Sequence, residues 1–175
     1  FKRSAKVKLL ASLNSIDLKN KDLQGYLQHD GSETISAGGQ LFFENLRKLR
    51  YELENSGKKV FLVTSTRPKE GKSVIIESIA NSFSLSNKRV LIIDANFSHN
   101  SLSEKFGAKP SLEAFSSNGS QKKKKKIAGI TGETTIPNTH IIGCGEGDYT
   151  PSEILPRNNL FENIDKLAAE YDFIF

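Results

Sequence analysis

The sequence predicts an α/β domain built on a mostly parallel sheet with helices on both faces. Three observations predict it. The runs KVFLVTS (59–65), RVLIID (89–94) and YDFIF (171–175) are apolar almost throughout rather than alternating, as strands buried on both faces are. The segments between them carry apolar residues at helical spacing. Strands that alternate with helices in this way make a three-layer α/β/α arrangement.

Each element follows in chain order. Residues 1–37 are polar and weakly patterned, so they read as a linker with one short strand near Val7–Leu13, and the domain itself spans 38–175. Gln40–Ser56 is helical: Phe42, Leu46, Leu49 and Leu53 fall on one face, and Gly57 supplies the stop. Lys59–Ser65 is a buried strand. Residues 72–86 form a helix with Ile75, Ile76, Ile79, Ala80 and Phe83 on one side, and Arg89–Asp94 is a second buried strand. Residues 107–137, rich in Gly, Ser and Asn, read as loop. Thr139–Ile142 is a short strand leading into the turn Gly143-Cys-Gly-Glu-Gly147. Thr150-Pro-Ser-Glu153 is a capping box with proline at the first helical position. A helix over 158–170 and a strand over Tyr171–Phe175 complete the pattern.

Composition sets outer limits. There is no apolar run near 18 residues, so nothing in the sequence reads as a transmembrane helix, and no signal peptide is visible. The single cysteine, Cys144, excludes an internal disulfide and suits a reducing compartment. The chain begins at Phe1, contains no methionine and ends inside an apolar run, so it reads as a fragment cut at both ends. The net charge of +5 is concentrated in Lys122–Lys126 and in Lys2, Arg3, Lys6 and Lys8. A like-charge run of this kind reads as solvated. No aromatic residue interleaves the lysines to stack on bases, so no nucleic-acid partner is expected.

The chemistry-bearing stretch is TSTRPKEGKS, 64–73. It lies between a predicted strand and a predicted helix, the context in which backbone N–H groups and a helix N-terminus converge on phosphate. Thr66, Arg67, Pro68, Lys69, Glu70, Gly71, Lys72, Ser73 and Val74 are the candidate nucleotide-binding residues. Lys72 would reach the β- and γ-phosphates, Ser73 would ligate Mg²⁺, and Gly71 would let the backbone approach. Threonine occupies the place of the loop's first glycine, and Lys69 stands where a second glycine would be comfortable. Asp94 ends the strand RVLIID, next to the loop in a doubly wound sheet. There its carboxylate can hold Mg²⁺ or accept a proton, with a plain helix N-cap as the alternative.

PKEGKS followed by VLIIDANFSHN resembles the first two nucleotide motifs of bacterial tyrosine kinases, the cytoplasmic ATPase domains of polysaccharide co-polymerases, which have a P-loop NTPase fold. Members of that family commonly lack the first loop glycine. Glu44-Asn-Leu-Arg47-Lys-Leu-Arg50 is similar to the family's Glu-x-x-Arg-x-x-Arg oligomerisation helix. Pro151-Ser-Glu-Ile-Leu155 and Tyr171–Phe175 are similar to its Pro-Ser-Glu-Leu-Leu helix and to the strand entering its third motif. The resemblance covers roughly residues 40–175.

The resemblance implies an Mg-ATP-binding domain of an exopolysaccharide or capsule chain-length regulator, with Lys72 and Asp94 as catalytic residues and Ser73 and Asp94 as metal ligands. The full protein would transfer the γ-phosphoryl to tyrosines of a neighbouring subunit. It would assemble into a ring or other oligomer through Glu44, Arg47 and Arg50. Its partners would be a membrane-embedded chain-length-determinant region and the polymerisation and export machinery, at the cytoplasmic face of the bacterial inner membrane. The basic N-terminal segment would lie near anionic lipid.

The chain departs from the family pattern at two places: Asn96 replaces the second aspartate of the second motif, and Ser98 replaces an arginine. These departures support an alternative, a catalytically weakened regulatory module of the same machinery. A partition-type ATPase is a further alternative, with Arg67 at the position of that group's signature lysine. The polar stripe of Glu44, Arg47 and Arg50 beside the apolar helix face also reads as a solvated face. His29, His99 and His140 lack metal-ligand spacing. The Gly143–Gly147 turn is expected near the nucleotide, and Cys144 is expected to be packed rather than nucleophilic. Tyr26, Tyr51, Tyr149 and Tyr171 are dispersed and form no acceptor cluster.

Overall fold

A computed structural model describes residues 8–16, 23, 37–110, 112–113, 129–148, 150, 153 and 160–175. In chain order its elements are α1 (Ala37–Asn55), α2 (Lys72–Ser84), β1 (Val90–Ile93), α3 (Ser101–Lys105), β2 (Gly132–Glu133), β3 (Thr139–Ile142), α4 (Leu160–Glu170) and β4 (Phe173–Ile174). The lysine run 122–126, Lys2, Arg3, Lys6, His29, Tyr26, Tyr149 and the 151–155 helix apart from Glu153 lie outside the described residues.

The sheet order is β2-β3-β1-β4. β1 pairs in parallel with β3 from Val90↔Thr139 to Ile93↔Ile142, and in parallel with β4 at Val90↔Phe173 and Leu91↔Ile174. β2 runs antiparallel to β3. The sheet is therefore mixed: three parallel strands and one antiparallel edge.

Side chains of β1 and β4 alternate between two apolar clusters, as the strand period of two requires. Val90, Ile92, Phe173 and Phe175 face a cluster shared with Phe42, Leu46 and Leu53 of α1 and with Ile79, Ala80 and Phe83 of α2. Leu91 and Ile174 face the other, with Phe97, Leu112, Ile142, Cys144 and Leu167 of α4. Phe83 stacks on Phe173 with ring centroids 4.0 Å apart, and Phe61 stacks on Phe175 at 5.6 Å. The 4-3-4 spacing of α1 thus buries the expected face. α2 is buried more evenly, because Glu77, Ser78, Asn81, Ser82 and Ser84 are also covered. At Thr150, the backbone N–H and the hydroxyl both donate to the Glu153 carboxylate, the reciprocal half of a capping box.

Several expectations are corrected. Residues 59–65 are not a buried strand. Only Val60 bridges, to Ile174, and the backbone bonds stop at Phe61 N–H to Ile174 O. Leu62 is 91% exposed. Hydrophobicity alone suggested burial, but β4 supplies a partner for just the first residues, and none of the described elements covers the outward side of Leu62. No strand forms over residues 8–13 either. The described stretch 8–16 is irregular and lies along α1, with Leu13 and Ile16 against the core and Asn14 Nδ2 donating to Gly38 O at 2.7 Å. The 107–137 segment contains β2, too short to show a period, and α3 precedes it unannounced by any apolar spacing.

Candidate phosphate-loop site

The loop between Ser65 and α2 is shaped by two residues in the left-handed region: Lys69 at φ 62° and Gly71 at φ 87°. Thr66 is not among the residues with positive φ. Threonine is accommodated at the missing glycine's position because the backbone there asks for nothing a side chain forbids, whereas Lys69 does occupy a glycine-like conformation. Gly71 is the N-cap of α2, and its carbonyl accepts the first helical bond, from Ile75 N–H at 2.9 Å.

Side chains close the loop on itself. Lys72 Nζ donates to Ser65 Oγ at 2.8 Å, and Ser65 Oγ donates to Arg67 O at 2.7 Å. Glu70 Oε2 accepts from Arg67 N–H at 3.1 Å and from the Thr66 hydroxyl at 3.4 Å. Residues 66–70 are exposed, and 71–74 are half-buried. The loop's cation and the first amides of α2 therefore sit at a solvent-facing helix N-terminus, the arrangement that attracts an anion.

Asp94 lies at the end of β1, but β1 is not adjacent to the loop segment as the doubly wound pattern suggested. β4 stands between them. The connection is made instead by α3. Ser73 Oγ lies 2.8 Å from Ser101 Oγ, and Asp94 Oδ2 accepts from both Ser103 N–H (3.0 Å) and Ser103 Oγ (2.8 Å). Asp94 Oδ1 accepts only a longer bond, 3.2 Å, from Asn96 N–H. Asp94 is 6% exposed; its carboxylate bonds an amide in the first turn of α3, but the helix's N-cap is Asn100, so Asp94 is not a plain N-cap.

Does this set suit Mg²⁺? Among the described residues no cluster of three or more His, Cys, Asp and Glu could hold a metal by itself. Mg²⁺ is usually held by one or two protein oxygens together with phosphates and waters. One hydroxyl and one carboxylate, bridged by a single short helix, fit that chemistry.

The Asn96 amide donates to His99 O at 2.7 Å. An ionised aspartate cannot make that bond, since it has no donor. Asn96 is thus built into the 96–99 turn. Ser98 is exposed. The Gly143–Gly147 turn docks on α3: Cys144 N–H donates to Ser103 Oγ at 3.0 Å, and Asn100 Nδ2 donates to Cys144 O at 2.9 Å. Burial pushes the Cys144 thiol up to about 12, helped by the nearby Asp94 charge. It is packed and protonated at neutral pH, not a nucleophile.

The α1 stripe divides. Glu44 and Arg47 are exposed. Arg50 instead turns inward, and its guanidinium donates to Ser82 O at 2.8 Å and to Ser86 Oγ at 2.7 Å, tying α1 to α2. Sequence reading missed α3. Its signal, two serines at i and i+2 beside a lysine, has no periodicity to find.

No protein-family description matches the chain. Tyrosine-protein kinase ptk of Acinetobacter johnsonii is 28% identical over 146 residues, covering 80% of this chain and 19% of the relative. The chain thus spans about a fifth of that relative's length. Tyrosine-protein kinase CpsD of Streptococcus agalactiae is 26% identical over 133 residues, with 75% of this chain and 57% of the relative covered. Among solved structures, the BceF tyrosine kinase domain superimposes with a TM-score of 0.64 at 28% identity, covering 77% of this chain and 54% of that one. The kinase domain of the Escherichia coli tyrosine kinase ETK matches with a TM-score of 0.75 over 96% of this chain and 68% of that one. At 18% identity that likeness speaks for the fold. The resemblance carried by PKEGKS and VLIIDANFSHN is borne out: this chain is similar in sequence and in fold to bacterial tyrosine-protein kinases.

Proposed function

We propose that the chain is the Mg-ATP-binding part of a tyrosine-kinase-like protein of exopolysaccharide or capsule biosynthesis, with a three-layer P-loop NTPase fold. One observation carries the reading. Lys72 and Ser73 open a helix whose preceding loop has left-handed turns at Lys69 and Gly71, in a chain whose relatives are tyrosine kinases. In this reading Lys72 leaves Ser65 for the phosphates. The amides around Gly71 bind phosphate oxygens, and the Ser73 hydroxyl and Asp94 Oδ1 face the metal. Mg²⁺ would neutralise phosphate charge there. The assembly into an oligomer through Glu44 and Arg47, the membrane-embedded partner region and a place at the cytoplasmic face of the inner membrane belong to the same proposal.

The test is calorimetric titration of Mg-ADP into the wild type and Lys72→Ala. Removing a charge-assisted contact worth about 1.5–3 kcal/mol weakens binding roughly 10- to 100-fold. Equal affinities would reject the site.

A second reading, a regulatory module with weakened catalysis, is favoured by Asn96. Its amide is committed to His99 O and cannot accept a proton from a tyrosine hydroxyl. Phosphotyrosine on the full-length protein, formed by the wild type as fast as by Asn96→Asp, would reject this second reading.

A further inference from the structure

The helix α3 is only five residues long, yet it touches every group expected to meet the metal. Ser101 meets the Ser73 hydroxyl at 2.8 Å. Four residues on in each helix, Lys105 Nζ pairs with Glu77 at 2.5 Å, and the Glu77 side chain is only 5% exposed. Two contacts one turn apart therefore pin α3 along α2. From α3's other side, Ser103 reaches Asp94.

Ser103 is 2% exposed and fully used. Its N–H and its hydroxyl both donate to Asp94 Oδ2, and its oxygen accepts Cys144 N–H. The Gly143 backbone presses on the same place: a Cβ there would meet Ser103 Oγ at 3.2 Å. The two carboxylate oxygens are consequently unequal. Oδ2 is anchored by two donors, and Oδ1 has one longer bond and keeps lone pairs to offer. Partners of this kind orient a metal-binding carboxylate, and losing one commonly weakens metal affinity about 10- to 100-fold.

We infer that α3 presents both metal ligands at once, with Ser103 as a positioning residue that fixes the Asp94 carboxylate and Ser101 as a placeholder that holds the Ser73 hydroxyl until the metal–nucleotide complex takes it. The inference rests on the nucleotide reading above. It goes further in assigning roles to Ser101 and Ser103, and it makes the two serines act in opposite directions. Loss of Ser103 frees Asp94 to rotate, which weakens only the metal-dependent part of binding. Loss of Ser101 removes a competitor for Ser73, which strengthens that part.

The experiment measures ADP affinity of the chain by calorimetry, once with Mg²⁺ and once with chelator, for wild type, Ser103→Ala and Ser101→Ala. Thermal melts run in parallel. The ratio of the two affinities is the readout, because a variant that is merely less stable loses both alike. The expected result is a ratio about tenfold smaller in Ser103→Ala, with metal-free affinity unchanged, and a ratio larger than wild type in Ser101→Ala. An unchanged ratio in Ser103→Ala, with ADP still bound, overturns this inference alone, and so does a ratio that falls equally in both variants. Failure of the wild type to bind ADP in either condition overturns the nucleotide reading with it. If Ser103→Ala does not fold, Ser101→Ala decides: a ratio at or below wild type overturns the placeholder role and with it the inference.

Discussion

The two halves of the candidate site are built in different ways. On the Asp94 side the carboxylate is buried and accepts three hydrogen bonds, and the turn after β3 packs on the Ser103 that holds it. On the Lys72 side the loop is exposed, and its side-chain hydrogen bonds are within 64–73 except where Ser73 meets Ser101. The segment before the loop leaves Leu62 in solvent. The difference teaches how roles are divided. In the proposed reading, a carboxylate that would meet a metal in one orientation is fixed before ligand arrives. The proposed phosphate loop stays open, and in that reading its cation, bonded to Ser65 Oγ, would exchange that serine for phosphate. Packing changes on the first side should cost stability, whereas backbone changes on the second should cost little.

The largest expected stability effect is Gly143→Ala. The added Cβ would lie 2.8 Å from Ala108 Cβ and 2.9 Å from Lys109 O, distances that force backbone to move. A loss of about 1–3 kcal/mol is expected from overpacking of this kind, read as a lower urea midpoint. A midpoint equal to wild type would show that the Asp94 side is not rigid, and the comparison would break.

Asn96→Asp comes next. It restores the charge that the related motif carries but removes the donor to His99 O. The loss expected is about 1 kcal/mol, the net worth of one hydrogen bond. If the variant is as stable as wild type, the Asn96 turn is incidental and the charge alone distinguishes the two residues.

On the open side, Lys69→Gly should be small and of opposite sign. A side chain at φ 62° is strained by about 1–2 kcal/mol, and glycine returns roughly 0.5–1 kcal/mol of that as unfolded-state entropy. A gain of about 0.5–1 kcal/mol is expected. A clear destabilisation would mean that Lys69 makes contacts beyond its backbone conformation.

The same division explains what the sequence could tell. α1 and β1 were legible because burial imposes a period or an unbroken apolar run, and Phe42, Leu46 and Leu53 or Val90–Ile92 carry it directly. The loop was legible because Gly-Lys-Ser between apolar run and helix is a local arrangement. Lys69 betrayed itself through the missing glycine. The strand at 59–65 was overread, since an apolar run reports hydrophobicity and not whether a neighbour exists to pair with it. α3 was invisible for the opposite reason. Its five residues act through serine hydroxyls, which follow no period, and through partners 28 and 41 positions away in sequence. Arg50 looked like one of three polar residues on a stripe, and only the position of Ser82 on α2 and of Ser86 just beyond it turns it inward.

The most direct measurement is to map Mg-ADP onto the chain by amide chemical shifts. The account predicts that the amides of Lys69–Val74 move most, that those of Asp94, Ser101 and Ser103 move with them when Mg²⁺ is present, and that Lys72→Ala abolishes the pattern at the same ADP concentration. Shifts centred elsewhere, or a pattern that survives Lys72→Ala unchanged, would contradict a phosphate site at the start of α2.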